Sequence, residues 1–211
     1  MTIRILIADD HTIVREGLKQ ILEETPDMTV AAEASTGQEV LNHVWKADFD
    51  VIVLDISMPG RNGLDVLKQL KTDRPKLPVL ILSMYSEEQF AVRAIRAGAS
   101  GYMTKETAPD ELIDAIRKVS MGRKYISPSL AEKLAFVLES GDERPPHESL
   151  SDREYEVMRL IAAGKTIGEI AEELSLSVKT ISTYRTRILT KMNLKNSAAL
   201  MHYALQHGLV E

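Results

Sequence analysis

Five short apolar or β-branched runs, at residues 3–8, 29–34, 51–54, 79–82 and 101–104, begin about 25 residues apart, the length of one strand, loop and helix. Ile52-Val53-Leu54 and Val79-Leu80-Ile81-Leu82 lack polar alternation, which marks strands covered on both faces and therefore a parallel sheet. The stretches between the runs carry helix-start signals. Thr36-Gly37-Gln38-Glu39 and Ser86-Glu87-Glu88-Gln89 read as capping boxes, and Thr107 with Pro109 opens a further helix. The repeat predicts five βα units over residues 1–121.

From about Gly122 the strand-like runs stop. Ser127-Pro128 opens a connecting helix, with serine as cap and proline at the first helical position. The segment 139–148 has no apolar periodicity and contains Gly141, Pro145 and Pro146, so 122–147 reads as connecting helix and linker. Residues 148–211 read as four helices. Ser151-Asp152-Arg153-Glu154 opens the first and Gly164 ends it; Thr166-Ile167-Gly168-Glu169 opens a short second one. Ser175-Leu176-Ser177 turns into a third, from 178 to about 192, and the fourth runs 197–207 before Gly208. Two short helices joined by a tight turn outline a helix-turn-helix.

Composition narrows the class. The chain of 211 residues has no cysteine, which excludes a disulfide framework, a thiolate nucleophile and Cys-ligated zinc. Met1-Thr2-Ile3-Arg4 leads into a short apolar stretch ended by Asp9 and Asp10, so neither a signal peptide nor a membrane span is expected, and the cytoplasm is the expected compartment. The net charge of −5 argues against nucleic acid as a whole, but it is uneven. Residues 148–211 balance eight acids with eight bases, and 177–196 hold Lys179, Arg185, Arg187, Lys191 and Lys195 with no acid.

In a doubly wound sheet, ligands bind at the carboxyl ends of the strands. There the runs place Asp9, Asp10, Asp55, Ser83 and Lys105. One such acid reads as a helix cap; polar residues after successive strands read as a site. Clustered carboxylates repel and recruit a cation, and all-oxygen donors favour Mg²⁺. A lysine and a hydroxyl at the same edge suit a phosphoryl group. His11 reads as a site-edge residue, and Gly164-Lys165-Thr166 as helix stop and cap, because the glycine-rich cradle of a phosphate loop is missing.

Asp9-Asp10-His11, Asp55 with Met58-Pro59-Gly60, Gly63, Ser83, and Tyr102 with Lys105 resemble a response-regulator receiver domain. The resemblance implies a flavodoxin-like sheet of order 2-1-3-4-5. It makes Asp55 the phosphorylated nucleophile, with Mg²⁺ on Asp10, Asp55 and the Ser57 backbone carbonyl, and Asp9 acting through metal-bound water. Lys105 would pair with the phosphoryl oxygens, Ser83 would bond the phosphoryl group and Tyr102 would switch rotamer. Lys105 precedes Glu106 where many receivers have proline, so the isomer of that bond is left open. Met84, larger than the residue usual there, leaves the turnover of the phosphorylated state open.

On the third C-terminal helix, Val178, Ile181, Ile188 and Met192 form one stripe, and Lys179, Ser182, Thr183, Thr186 and Thr190 lie opposite. Short hydroxyls and one lysine suit the major groove. The segment from Leu150-Ser151-Asp152-Arg153-Glu154 to Lys191-Met192 resembles the LuxR-type helix-turn-helix, and the chain as a whole is similar to a NarL/FixJ-class transcriptional response regulator. That resemblance assigns Lys179, Ser182, Thr183 and Thr186 to the DNA face, and Thr180, Arg187 and Lys191 to phosphates. Arg185, near the buried stripe, is expected to snorkel. The implied partners are a sensor histidine kinase, double-stranded promoter DNA, a second copy when phosphorylated and, as a further candidate, RNA polymerase. The alternatives are an interaction protein whose helix-turn-helix contacts protein and an aspartyl-phosphate phosphohydrolase. The position two after Asp55 is Ser57, not the second acid of such hydrolases, so no enzyme activity is expected.

Overall fold

A computed structural model describes residues 2–139 and 145–210. Residues 140–144, within the expected linker, lie outside the described residues. The contacts divide the chain into two compact units, Met1–Ala135 and Phe136–Glu211.

The first unit alternates β1 (Ile3–Ala8), α1 (Thr12–Glu23), β2 (Met28–Ala34), α2 (Gly37–Lys46), β3 (Val51–Leu54), α3 (Gly63–Asp73), β4 (Val79–Ser83), α4 (Glu87–Arg96), β5 (Gly101–Thr104) and α5 (Pro109–Ser120). The sheet is parallel throughout, in the order β2-β1-β3-β4-β5. Every residue of β3 and β4 is buried, as their unbroken apolar runs require. Alternation within strands sends Ile5, Ile7, Val51, Val53, Leu80 and Leu82 toward Leu18 and Leu22 of α1 and Leu112, Ile116 and Val119 of α5. Each such side chain taken out of water contributes about 1.5–3 kcal/mol, so the strands cannot move independently of their helices.

Local signals behave differently from their simplest reading in two places. Thr36 Oγ1 accepts the Glu39 N–H, but the Glu39 carboxylate turns back to the N–H and hydroxyl of Ser35 rather than completing a box on Thr36. The Ser35 N–H above all, opposed by burial and helped by the Ser35 hydroxyl, holds the Glu39 carboxyl below its ordinary range. Ser86 has the backbone of an N-cap but makes no side-chain cap bond; the Gln89 side chain lies outside the described residues. All described peptides are trans, Lys105–Glu106 included.

The chain beyond α5 adds a feature the apolar pattern does not show. Tyr125 bridges to Gly101 at the sheet edge, its N–H donating to Ser100 O at 2.8 Å. The approach depends on glycine, since a Cβ at 101 would lie 2.8 Å from Tyr125 O. The helix α6 (Pro128–Glu139) follows, with Leu130 fully buried.

In the second unit a 3₁₀ turn (Pro146–Ser149), in a stretch without periodicity, precedes α7 (Asp152–Ala162), α8 (Ile167–Glu173), α9 (Val178–Lys191) and α10 (Ser197–Gln206). Both expected boxes, Ser151/Glu154 and Thr166/Glu169, are complete. Gly164 ends α7 at φ 86°. The turn from α8 to α9 places Ser175 at φ 52°, and Leu176 N–H reaches Ala171 O at 2.8 Å. The helix α7 is buried along nearly its whole length, and its charged side chains turn to partners within the same unit. Arg153 meets Glu156 at 2.6 Å and also donates to Leu174 O, while Arg159 donates to Leu209 O. Val178 departs from the expected stripe: Ile181, Ile188 and Met192 are buried, but Val178 is exposed because it is the first helical residue.

Gly63 is the position where fold and site meet. A Cβ there would lie 2.0 Å from Asp55 O and 2.8 Å from Ile56 Cα. Gly63→Ala is therefore expected to cost the first unit at least about 2 kcal/mol, read from the amide exchange of its strand residues across a urea series.

Candidate functional site

Strand ends converge on one edge of the sheet. Asp9 follows β1, Asp55 follows β3, Ser83 closes β4 and Lys105 follows β5. Asp9 and Asp55 are each 2% exposed, and Ser83 is fully buried. The Lys105 ammonium stands between the two carboxylates, 2.6 Å from Asp9 Oδ2 and 2.8 Å from Asp55 Oδ2. Asp55 Oδ1 accepts the Ser57 N–H at 3.3 Å, and Lys105 N–H donates to Ser83 O at 2.8 Å, fixing the lysine to the end of β4.

Burial pushes the Asp55 carboxyl above its ordinary pKa; the Lys105 charge opposes this and the Asp9 charge reinforces it. Burial also works against the Lys105 ammonium, but Asp55 and then Asp9 outweigh it and hold the lysine above its usual value. The two directions describe one arrangement: the lysine gains from two carboxylates, whereas Asp55 must share one cation with a like charge. A surplus of buried negative charge remains at the edge.

Asp10 lies at the more exposed side, its Oδ1 2.9 Å from His11 Nδ1. The His11 ring also reaches Asp9 Oδ1 at 3.2 Å, and His11 N–H donates to that oxygen at 2.9 Å. One ligand atom from each of Asp9, Asp10, His11 and Asp55 falls within 4.8 Å of the others. Three hard carboxylates with excess negative charge fit Mg²⁺.

Tyr102 is wholly buried, and its hydroxyl donates to Tyr85 O at 2.7 Å, while Tyr85 stacks on Phe90 at 4.6 Å. Ser83 Oγ accepts the Tyr85 N–H at 3.2 Å. Sequence reading missed Tyr85 as the residue joining Ser83 to Tyr102; an aromatic two positions after a strand-end serine was the available signal. Met84 is largely exposed beside the site.

In the second unit α9 presents Lys179, Ser182, Thr183, Thr186 and Arg187 to solvent, and Thr180 is half-buried. The hydroxyls of Ser182, Thr183, Thr186 and Thr190 each donate to the carbonyl four residues back. Their hydroxyl protons are therefore turned to the helix backbone, leaving acceptor lone pairs outward and, on the three threonines, methyl groups. Thr180 instead meets Ser177 Oγ at 2.8 Å. A concavity of about 290 Å³ lies among Ser177, Lys179, Thr180, Thr183, Tyr184 and Arg187; Tyr184 was not anticipated. Lys191 is engaged within the domain, its ammonium 2.6 Å from Glu154 of the α7 cap. Burial opposes the Glu154 carboxylate, but Lys191 and Ser151 outweigh it and hold its pKa below the usual range. Arg185 donates through Nε to Ser197 Oγ at 2.8 Å, joining α9 to α10.

Residues 5–117 match the family model described as response regulator receiver domain, and residues 148–204 match bacterial regulatory proteins, luxR family. The chain is 36% identical over 208 residues to the response regulator UvrY of Escherichia coli K12, covering 98% of this chain and 95% of the relative. It is 35% identical over 210 residues to the response regulator GacA of Pseudomonas aeruginosa, covering 99% and 98%. Among solved structures it is similar to RcsB from Salmonella enterica serovar Typhimurium bound to promoter rprA with the phosphomimetic BeF3−, at TM-score 0.64, 29% identity and coverage of 96% and 98%.

The buried charges set a pH-dependent cost. A folded pKa above the unfolded value of about 3.9 means that ionised Asp55 opposes folding above the folded pKa, a cost that vanishes as pH falls through the window between the two. Asp55→Asn leaves Lys105 paired with Asp9 and is expected to raise the urea midpoint of the first unit at pH 7. The gain should shrink toward pH 4, measured by the same amide exchange across a urea series at each pH.

Proposed function

Because the chain belongs to the response regulators with a luxR-family C-terminal domain, we propose that Asp55 receives a phosphoryl group from a sensor histidine kinase and that its phosphorylation controls promoter binding through α9. The chain is a transcriptional regulator of a two-component system. The observation that carries the site assignment is the Lys105 ammonium held between Asp9 and Asp55 beside a fully buried Ser83. We read residues 1–121 as the phosphoacceptor domain, 122–147 as connecting helix and linker, and 148–211 as the DNA-binding domain, with the cytoplasm as its compartment.

Asp9, Asp10, Asp55 and the Ser57 carbonyl would hold Mg²⁺, which when bound neutralises the negative charge that develops on the transferred group. Asp55 Oδ attacks phosphorus in line as the bond to the kinase histidine breaks. Lys105 stays at the edge to pair with a phosphoryl oxygen, and its link to Ser83 O keeps that cation in register with the Ser83 hydroxyl. Ser83 gives up the Tyr85 N–H to donate its own proton to another oxygen. Tyr102, whose hydroxyl is bonded to Tyr85 O, is thereby exposed to the change and switches rotamer. No step requires a bound organic substrate, and we read the chain as a regulator rather than a metabolic enzyme.

On the DNA side, Lys179, Ser182, Thr183 and Thr186 face the bases, and Thr180 and Arg187 meet phosphates. Lys191 meets phosphate through donors not used by Glu154. RcsB is bound to promoter DNA in the similar structure, which supports the same partner here. A second solved structure, of two RcsB dimers bound to two parallel DNAs, supports a dimeric bound form. RNA polymerase is a further partner of this reading.

Acetyl phosphate with Mg²⁺ is expected to add one phosphoryl group by intact mass, and Asp55→Ala to prevent it; an equal gain in the variant would overturn the acceptor assignment. Lys179→Ala should weaken DNA binding about tenfold and lower the salt slope by about one, measured by fluorescence anisotropy across a salt series. Identical affinity and slope in the two proteins would remove α9 from the interface.

A further inference from the structure

Glu87, the first residue of α4, accepts hydrogen bonds from the hydroxyls of Ser127, at 2.6 Å, and Ser129, at 2.7 Å. Those serines open α6. Ser127 Oγ also accepts the Leu130 N–H at 3.1 Å, and the two hydroxyls lie 3.1 Å apart. The first turn of α6 is thus held by the Glu87 carboxylate, by buried Leu130 and by the Tyr125 bridge just before it. On its other side Glu87 directly follows the turn 83–86. There Ser83 Oγ holds the Tyr85 N–H, and the Tyr102 hydroxyl lies 2.7 Å from Tyr85 O and 3.5 Å from Ser86 O. One five-residue segment is therefore tied at one end to the hydroxyl facing the acceptor site and at the other to the helix that leads out of the receiver.

We propose that Glu87 is a positioning residue that couples phosphorylation at Asp55 to the connecting helix α6. The proposal rests on the reading of Asp55 as acceptor. When Ser83 turns to the phosphoryl group it releases Tyr85, and the turn 83–86 shifts with it. The Glu87 carboxylate, which the same turn carries, then withdraws from Ser127 and Ser129. Bonds between hydroxyls and a carboxylate are short and strong, so a shift of about 1 Å ends them. The first turn of α6 loses its shared acceptor but keeps Leu130 and Tyr125; it loosens without detaching, and the path toward the second unit gains freedom.

Amide exchange over residues 129–135 of the full chain, with intact mass as the parallel readout, tests this. In the wild type, acetyl phosphate and Mg²⁺ should raise exchange in that segment about fivefold or more. Glu87→Ala should show the raised rate without phosphodonor and no further rise with it, although its mass still gains one phosphoryl group. Glu87→Gln, which keeps an acceptor of the same shape, should restore part of the protection, and Ser129→Ala, which leaves the Ser127 cap intact, should lose less of it. Unchanged exchange in unphosphorylated Glu87→Ala, with strand amides still protected, overturns the clasp whatever Asp55 does. A phosphorylated wild type with unchanged exchange at 129–135 overturns the coupling. Absence of a mass gain in the wild type overturns the acceptor reading and the coupling together, and the comparison without phosphodonor still judges the clasp.

Discussion

The ammonium of Lys105 between the Asp9 and Asp55 carboxylates is the interaction on which the receiver depends. Three ionisable groups are withdrawn from water at the meeting point of β1, β3 and β5, a placement that is costly unless their charges offset one another. Two carboxylates and one lysine do so incompletely. The sheet therefore delivers a rigid edge with a standing deficit of positive charge, which a divalent ion fits. Rigidity comes from below: β3 and β4 are buried throughout, and Gly63 allows the chain to pass directly over the Asp55 carbonyl.

Much of this was legible in the sequence, because spacing and strand-end chemistry are local signals. Unbroken runs marked the parallel strands, and the polar residues at the ends of β1, β3, β4 and β5 fell together at one edge of the sheet. Serine and threonine caps marked α7, α8 and α9 to within a residue. What escaped was nonlocal or depended on a choice between near neighbours. Glu39 prefers Ser35 to Thr36; Lys191 finds Glu154 across 37 positions; Tyr125 joins the sheet edge only because Gly101 lacks a side chain. Hydrophobic periodicity carries no information about such partners. Val178 shows the complementary limit, since its angle is that of the buried stripe but its place at the helix start leaves it without cover.

The two units handle charge differently. At the receiver edge, imbalance is kept where chemistry needs it. In the second unit the charges of α7 are turned inward and engaged, Arg153 with Glu156 and Arg159 with the carbonyl of Leu209, so that a helix rich in acids and bases can serve as the core against which α9 is held. The basic residues of α9 then stand on a scaffold that does not rely on them for its folding, apart from Lys191 and Arg185.

The pairing of Lys191 with Glu154 changes how the C-terminal unit should be weighed as a polyelectrolyte ligand. A lysine that reaches a phosphate with a carboxylate beside it brings less net positive charge to the duplex and so releases fewer counterions than an unpaired lysine, even where its remaining donors make the contact. Counting the bases of α9 thus overstates the entropy available from ion release. More of the affinity for DNA must then come from shape and from the short side chains of the same helix, a division that favours selectivity over grip.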